Sequence, residues 1–331
     1  MPIETQLTKD LGIRIPVVQG GMQWVGLPVL VAAVSNAGGL GIITGLTQPT
    51  PEDLRKAIRE TKSNTNKPFG VNLTFLPTMK PPPYDEYAKV IIEEGVKVVE
   101  TAGGPAAGPF IKLFNSKGIY VIHKCTAIRH ARTAVKMGAR MLSIDGLECA
   151  GHPGEDDVGG LVLLARAAQE LKTPFIASGG FANGRGLASA LALGACGINC
   201  GTAFMTTEEA PIHPNVKKVM IESDERQTVH IFRTLHNTAR VFKNKPAMEV
   251  VALENRIGGC KFEDVAHLVS GQRGKLVYET GDIDAGIWSC SVAVGLLKEV
   301  VSCEVFLNKI EKEAIEVLQG LTKNITFSTK M

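Results

Sequence analysis

The sequence predicts an α/β fold: a closed (β/α)8 TIM barrel with a mainly helical insertion, or cap, near the C-terminal end. Three observations carry that reading. Short apolar or β-branched runs alternate with helical stretches over the first two-thirds of the chain, and eight such units fit into about 205 residues. The runs are apolar throughout, which marks strands covered by helices on both faces. A length of 331 residues suits one large barrel, and eight consecutive units close more readily than they form an open sheet.

Taken in order, strands are expected at residues 17–19, 41–44, 70–75, 96–101, 119–123, 141–144, 175–177 and 197–200. Helices are expected between them at 29–36, 51–61, 84–94, 126–137, 161–171 and 184–193. Thr50 offers an N-cap, Pro51 fits a first turn, and Glu52 and Asp53 sit beside the positive helix end. Asn36-Ala37-Gly38-Gly39 and Met137-Gly138 read as helix stops. After Phe204 the rhythm breaks. Residues 211–286 carry more charge and read helical at 213–223, 224–234 and 261–269. An apolar segment at 292–300 and an amphipathic helix at 304–321, one or both, are expected to complete the outer ring. The division is thus 1–210 with 292–331 for the barrel, and 211–291 for the cap.

Composition removes several classes of function. A net charge of +3, with no dense basic tract, argues against nucleic acid. No apolar run is long enough to span a bilayer, and the first residues lack the pattern of a secretory signal. Seven Cys without a CxxC pair suit a reduced, soluble, cytoplasmic protein. The histidines show no HExxH spacing, so no metal site is expected. A homodimer is left open.

Barrel sites lie at the C-terminal ends of strands, so the residues after each strand matter most. Those are Gln19-Gly20-Gly21-Met22-Gln23, Asn72-Leu73-Thr74, His123-Lys124-Cys125-Thr126, Asp145 through Gly154, Ser178-Gly179-Gly180 and Gly201-Thr202. Glycines after strands 7 and 8 let backbone N–H groups approach a phosphate, though they also suit plain tight turns. No P-loop and no strand-linked GxGxxG is present. Gly20-Gly21 suits a flat ring against backbone. Lys124 can place a cation beside that ring, where it would raise a flavin's electron affinity, or can pair with Asp145; both can hold together. His152, in a glycine-rich loop with Glu155, Asp156 and Asp157 behind it, suits proton transfer or a hydrogen bond to substrate. Cys125 has no evident partner base and reads as a small buried residue.

These residues, in this order, resemble the nitronate monooxygenase (2-nitropropane dioxygenase) family. The likeness is closest to its NADH:quinone reductase branch. It is carried by Pro16 through Gly26, Leu46-Thr47-Gln48-Pro49, Phe69 through Thr74, His123 through Thr126, Asp145 through Asp157, Ala177 through Phe181, and Ser270-Gly271-Gln272-Arg273-Gly274. The resemblance implies FMN held by Gly21, Met22, Asn72, Lys124, Asp145, Ala150, Gly151, Ser178, Gly179, Gly180, Gly201 and Thr202, the last five around the phosphate. It also implies His152 as the active-site histidine and Lys124 beside the flavin ring. The stretch from Pro77 to Tyr84 corresponds to a loop that admits NADH or NADPH, but Met79 and the proline run depart from the pattern.

Three activities follow. NAD(P)H would reduce FMN, which then reduces a quinone; Gln23 through Gly26 and Glu155 through Asp157 favour this one. An alkyl nitronate would be oxidised with oxygen. Or the chain would bind flavin as a partner or sensor without turnover.

Overall fold

The computed structural model describes residues 2–75 and 81–325. Helix α1 (Gln6–Leu11) leads into β1 (Val17–Gln19), α2 (Pro28–Asn36), β2 (Leu40–Thr44), α3 (Pro51–Asn64) and β3 (Phe69–Phe75). Then come α4 (Tyr84–Glu93), β4 (Val98–Gly103), α5 (Gly108–Ser116), β5 (Tyr120–Cys125), α6 (Ile128–Met137) and β6 (Met141–Asp145). The barrel ends with α7 (Gly160–Glu170), β7 (Phe175–Ser178), α8 (Gly184–Ala192), β8 (Ile198–Cys200) and the short α9 (Thr202–Met205). Strands β1 to β8 are parallel in sequence order, and β1 closes the barrel on β8 with Val18 opposite Asn199.

The expected strands agree with these to within about two residues. Thr50 caps α3 as expected, its side chain accepting from the Asp53 N–H at 3.1 Å. Helix α5 was not anticipated, because the run Gly103-Gly104-Pro105 and Gly108-Pro109 read as loop.

Inside the barrel the filling changes with height. Leu40, Ile42, Val98, Tyr120, Ile122, Met141 and Ile176 pack with Leu7 and Leu11 of α1, which closes the N-terminal end. Above them lie Asn72, Glu100, Ser143 and Asn199, all buried.

The chain leaves the barrel after α9 through α10 (Pro214–Glu222). It then forms β9 (Thr228–Ile231), β10 (Ala239–Phe242), α11 (Lys245–Glu254), α12 (Phe262–Val265) and α13 (Gly271–Thr280). The expected helix at 224–234 is corrected: β9 pairs antiparallel with β10, Thr228 opposite Phe242. Thr228, Val229 and Ile231 are β-branched, and a partner strand outweighs the helical reading. The helix expected at 261–269 shrinks to α12. Helix α13 begins inside the motif Ser270 through Gly274, whose glycines disguised it. Gly274 is required there, since a Cβ would lie 2.7 Å from the Ile287 carbonyl oxygen. Ile231, Ala239, Val241, Ala247, Val250, Val265 and Leu268 form a small core of their own within this segment.

The outer ring is completed by α14 (Cys303–Asn324), which packs on α8. A Cβ at Gly184 would lie 2.5 Å from the Ala314 nitrogen, so the absent side chain sets how closely the two helices approach. The 292–300 segment supplies only a 3-10 turn, Val292–Leu296.

Candidate active site

A cavity of about 540 Å³ opens between the C-terminal strand ends and the 211–291 segment. Its floor begins with the loop after β1. The Gly20 N–H donates to the Cys200 carbonyl at 3.2 Å, the Gly21 N–H to Glu100 Oε2 at 3.0 Å and the Met22 N–H to Thr44 Oγ1 at 2.7 Å. Three consecutive donors are thus bonded into the barrel. Side chains at Gly20 and Gly21 are excluded, since a Cβ would lie 2.4 Å from Asn199 Oδ1 and 2.5 Å from Asn72 Cγ. The loop therefore presents bare backbone to the cavity.

Glu100 is the hub beneath it. Besides Gly21, its carboxylate accepts from Asn72 Nδ2 at 2.7 Å and Asn199 Nδ2 at 2.9 Å. Sequence reasoning missed this residue, although an acid inside the apolar run Val98-Val99-Glu100 was a visible signal.

Lys124, near the end of β5, lines the cavity, its side chain 25% exposed. Its Nζ lies 3.6 Å from Asp145 Oδ2, so the expected pairing is present. Burial alone would push the ammonium down, but Asp145 and Glu100 together raise it above its ordinary value. Burial pushes the Asp145 carboxyl up, against Lys124 and a hydrogen bond from Ser178. Asp145 Oδ1 is buried without a partner among the described residues. Burial also raises the Cys125 and Cys149 thiols, which makes both inert at neutral pH.

At the ends of β7 and β8, Gly179 and Gly180 adopt φ of 88° and 85°. The N–H groups of Gly180 and Phe181, past the end of the β7–β8 ladder, meet no acceptor among the described residues. A Cβ on Gly180 would lie 3.0 Å from Glu148 Cβ. Glu148 itself accepts from the Gly160 N–H at the start of α7. Thr202 Oγ1 accepts from the Ser291 N–H at 3.0 Å, which ties β8 to the returning chain.

His152 opens into the cavity, and no hydrogen bond holds its ring among the described residues. Desolvation lowers its imidazole below the ordinary value, opposed by Glu155. Its loop is fastened to the hairpin. Gly151 and Arg240 exchange backbone hydrogen bonds of 3.0 and 2.6 Å, and Glu155 accepts from the Thr238 N–H and hydroxyl at 2.7 and 2.6 Å. Asp157 pairs with both Arg233 nitrogens at 3.0 Å, and Asp156 pairs with Arg129. The three acids behind His152 are therefore anchors.

The roof is apolar: Ile231, Phe232, Val241, Val269, Tyr278, Ile287 and Trp288 face the cavity. Trp24 joins floor to roof. It has φ of 65°, and its Nε1–H donates to the Gly271 carbonyl at 3.1 Å. Of the residues expected in the site, Gly21, Met22, Asn72, Lys124, Ala150, Gly151, His152, Ser178, Gly179, Gly180, Gly201 and Thr202 all line this one cavity. Asp145 does not line it and stands behind Lys124. Of the expected nicotinamide loop, Pro77 through Lys80 lie outside the described residues, while Tyr84 lines the cavity and donates to the Thr74 carbonyl at 3.0 Å.

A parallel barrel with glycine-rich loops and a half-buried, paired ammonium at one mouth has the architecture of a barrel oxidoreductase. The nitronate monooxygenase family profile matches residues 4–313. A (3aS,4S,5R,7aS)-5-hydroxy-7a-methyl-1-oxo-octahydro-1H-indene-4-carboxyl-CoA dehydrogenase of Rhodococcus jostii is 40% identical over 215 residues, which is 65% of this chain and 59% of that protein. Its counterpart of the same name from Mycobacterium tuberculosis is 30% identical over 357 aligned positions, covering 96% of this chain and 98% of that one. Among solved structures, FabK from Thermotoga maritima superposes with a TM-score of 0.90 at 34% identity, covering 98% of this chain and 100% of that one. The chain belongs to the nitronate monooxygenase family and is a flavin-dependent oxidoreductase. The quinone reductase branch is a finer reading. Among the described residues no helix is long and apolar enough to cross a membrane.

Proposed function

We propose that the protein is an FMN-dependent reductase that takes hydride from NADH or NADPH and passes it to an apolar, carbonyl-conjugated acceptor. The observation that carries this is one cavity holding the Lys124 ammonium at its floor, the His152 ring with no hydrogen-bond partner among the described residues at its side, and apolar side chains overhead. When bound, FMN supplies a reversible hydride acceptor.

The residues fit that group. Unpaired N–H groups at Gly180 and Phe181 would hold the phosphate, with Ser178, Gly179, Gly201 and Thr202 around them. Bare backbone at Gly20 and Gly21 leaves room for a flat ring, and Lys124 would balance negative charge on it. His152 would orient the acceptor's carbonyl oxygen by donating a hydrogen bond from its imidazole N–H, and would pass on a proton only after taking one up from solvent to form the imidazolium. Residues 211–291, read as a cap, exclude water and select the acceptor through the roof.

A quinone is the acceptor implied by the sequence resemblance. An acyl thioester with a conjugated double bond belongs to the same chemical class, and the CoA dehydrogenases among the relatives favour testing it alongside. A second reading, oxidation of alkyl nitronates, is favoured by a Paraburkholderia phytofirmans nitronate monooxygenase, 30% identical over 71% of this chain.

Anaerobic mixing of the FMN-loaded protein with NADH or NADPH tests the proposal. Fast, saturable bleaching followed by reoxidation with a quinone or an enoyl thioester is expected. Bleaching by propyl nitronate alone would establish the second reading. Slow reaction with every reagent would leave a flavin-binding partner without turnover.

A further inference from the structure

The middle layer of a barrel interior is usually filled by branched apolar side chains. Here Asn72, Glu100, Ser143 and Asn199 occupy it as one hydrogen-bonded group, with Asn199 Nδ2 also 3.2 Å from Ser143 Oγ. We propose that Glu100 is a positioning residue of the flavin site: it fixes the Gly21 backbone from below and shares the Lys124 charge with Asp145. It thereby sets how readily the bound flavin is reduced. The inference rests on the reading of the cavity as a flavin site.

One line of geometry and one of charge support it. Glu100 is fully buried and accepts three N–H donors, from Gly21, Asn72 and Asn199. A carboxylate, with four acceptor positions and no donor, satisfies all three; a glutamine would turn an NH2 group toward one of them. Its upward link ends on the backbone that Asn72 already keeps free of a side chain. The second line is charge. Asp145 lies 3.6 Å from the Lys124 ammonium, and Glu100 adds a second carboxylate to the same field. Two acids opposite one ammonium leave the floor with excess negative charge, which opposes the gain of electrons by a ring above it. Removing the Glu100 charge therefore acts in the opposite direction to removing Lys124.

The test is the reduction potential and FMN affinity of the loaded wild type beside Glu100→Gln and Glu100→Asp. Glu100→Gln is expected to raise the equilibrium constant for two-electron reduction about tenfold, about 30 mV. Glu100→Asp keeps the charge but withdraws it from Gly21, so its equilibrium constant for reduction stays within about threefold of wild type while FMN binds about tenfold more weakly. An unchanged potential in a Gln variant that binds FMN overturns the inference. Should that variant fail to fold, wild-type FMN affinity in the Asp variant overturns it instead. A wild type that takes up no FMN removes the flavin reading and this inference with it, an outcome visible before any variant is made.

Discussion

The floor of the cavity is made of strand ends whose polar groups are bonded into the barrel, whereas its roof consists of side chains from a segment with its own small core. On the floor, Gly20, Gly21 and Met22 each donate to a fixed acceptor, and Lys124 is half-buried beside Asp145. The roof touches the His152 loop through a backbone bridge at Gly151 and Arg240 and through half-exposed ion pairs such as Arg233 with Asp157. Rigid, desolvated polar groups suit a cofactor that every turnover uses. An apolar surface carried on a fastened segment suits a substrate that must enter and leave.

The largest effect should come from the floor's anion cradle. Gly180→Val places a β-branched residue at φ of 85° against Glu148, about 3 kcal/mol of strain and lost contact. FMN titration followed by absorbance should show affinity down about 100-fold; stoichiometric yellow protein after desalting would place the phosphate elsewhere. Lys124→Met leaves Asp145 and Glu100 without their cation, with an expected loss of about 3 kcal/mol in urea unfolding and a flavin that is harder to reduce. Both changes should spare the roof.

His152→Ala tests the link between the two regions. Turnover should fall about 100-fold with FMN still bound, and unchanged rates on quinone, thioester and nitronate would take the histidine out of the reaction.

Acid separates the regions further. Burial pushes His123 in the barrel down to about 4 from 6.5, only partly offset by its hydrogen bond to Gly103 and by Glu100. The unfolded chain thus takes up that proton first. Its contribution is fully present above pH 6.5 and is lost as pH falls toward 4, on the order of 3 kcal/mol. Urea midpoints measured across that window should flatten in His123→Gln. His230 in the hairpin is also lowered to about 4, by burial and then by the Arg240 and Arg233 cations, but it is more exposed than His123, so solvent screening makes its share smaller. The smallest effect is expected from Arg233→Ala: about 0.5 kcal/mol of stability, and a raised KM for the acceptor at unchanged FMN affinity.

The barrel was legible because buried parallel strands are apolar without interruption, and helix stops such as Met137-Gly138 mark the joints. The glycines after β7 and β8 were legible as a local motif, and they line the cavity. What stayed hidden depended on partners distant in sequence. Residues 228–231, read as part of a helix, become strand only because 239–242 lies beside them. Glu100 acquires its role only when Gly21, Asn72 and Asn199 converge on it. Glu155 through Asp157 suggested acid chemistry near His152, yet each is consumed by a contact outside the cavity.

The chain has two tryptophans, and both line the cavity. Trp24 is pinned to Gly271 across the join, and Trp288 stacks on Phe242 at 4.3 Å. Indole emission overlaps flavin absorption, so a ring seated between them would quench both by energy transfer. The protein therefore carries its own gauge of loading: intrinsic fluorescence reports the fraction of molecules without cofactor.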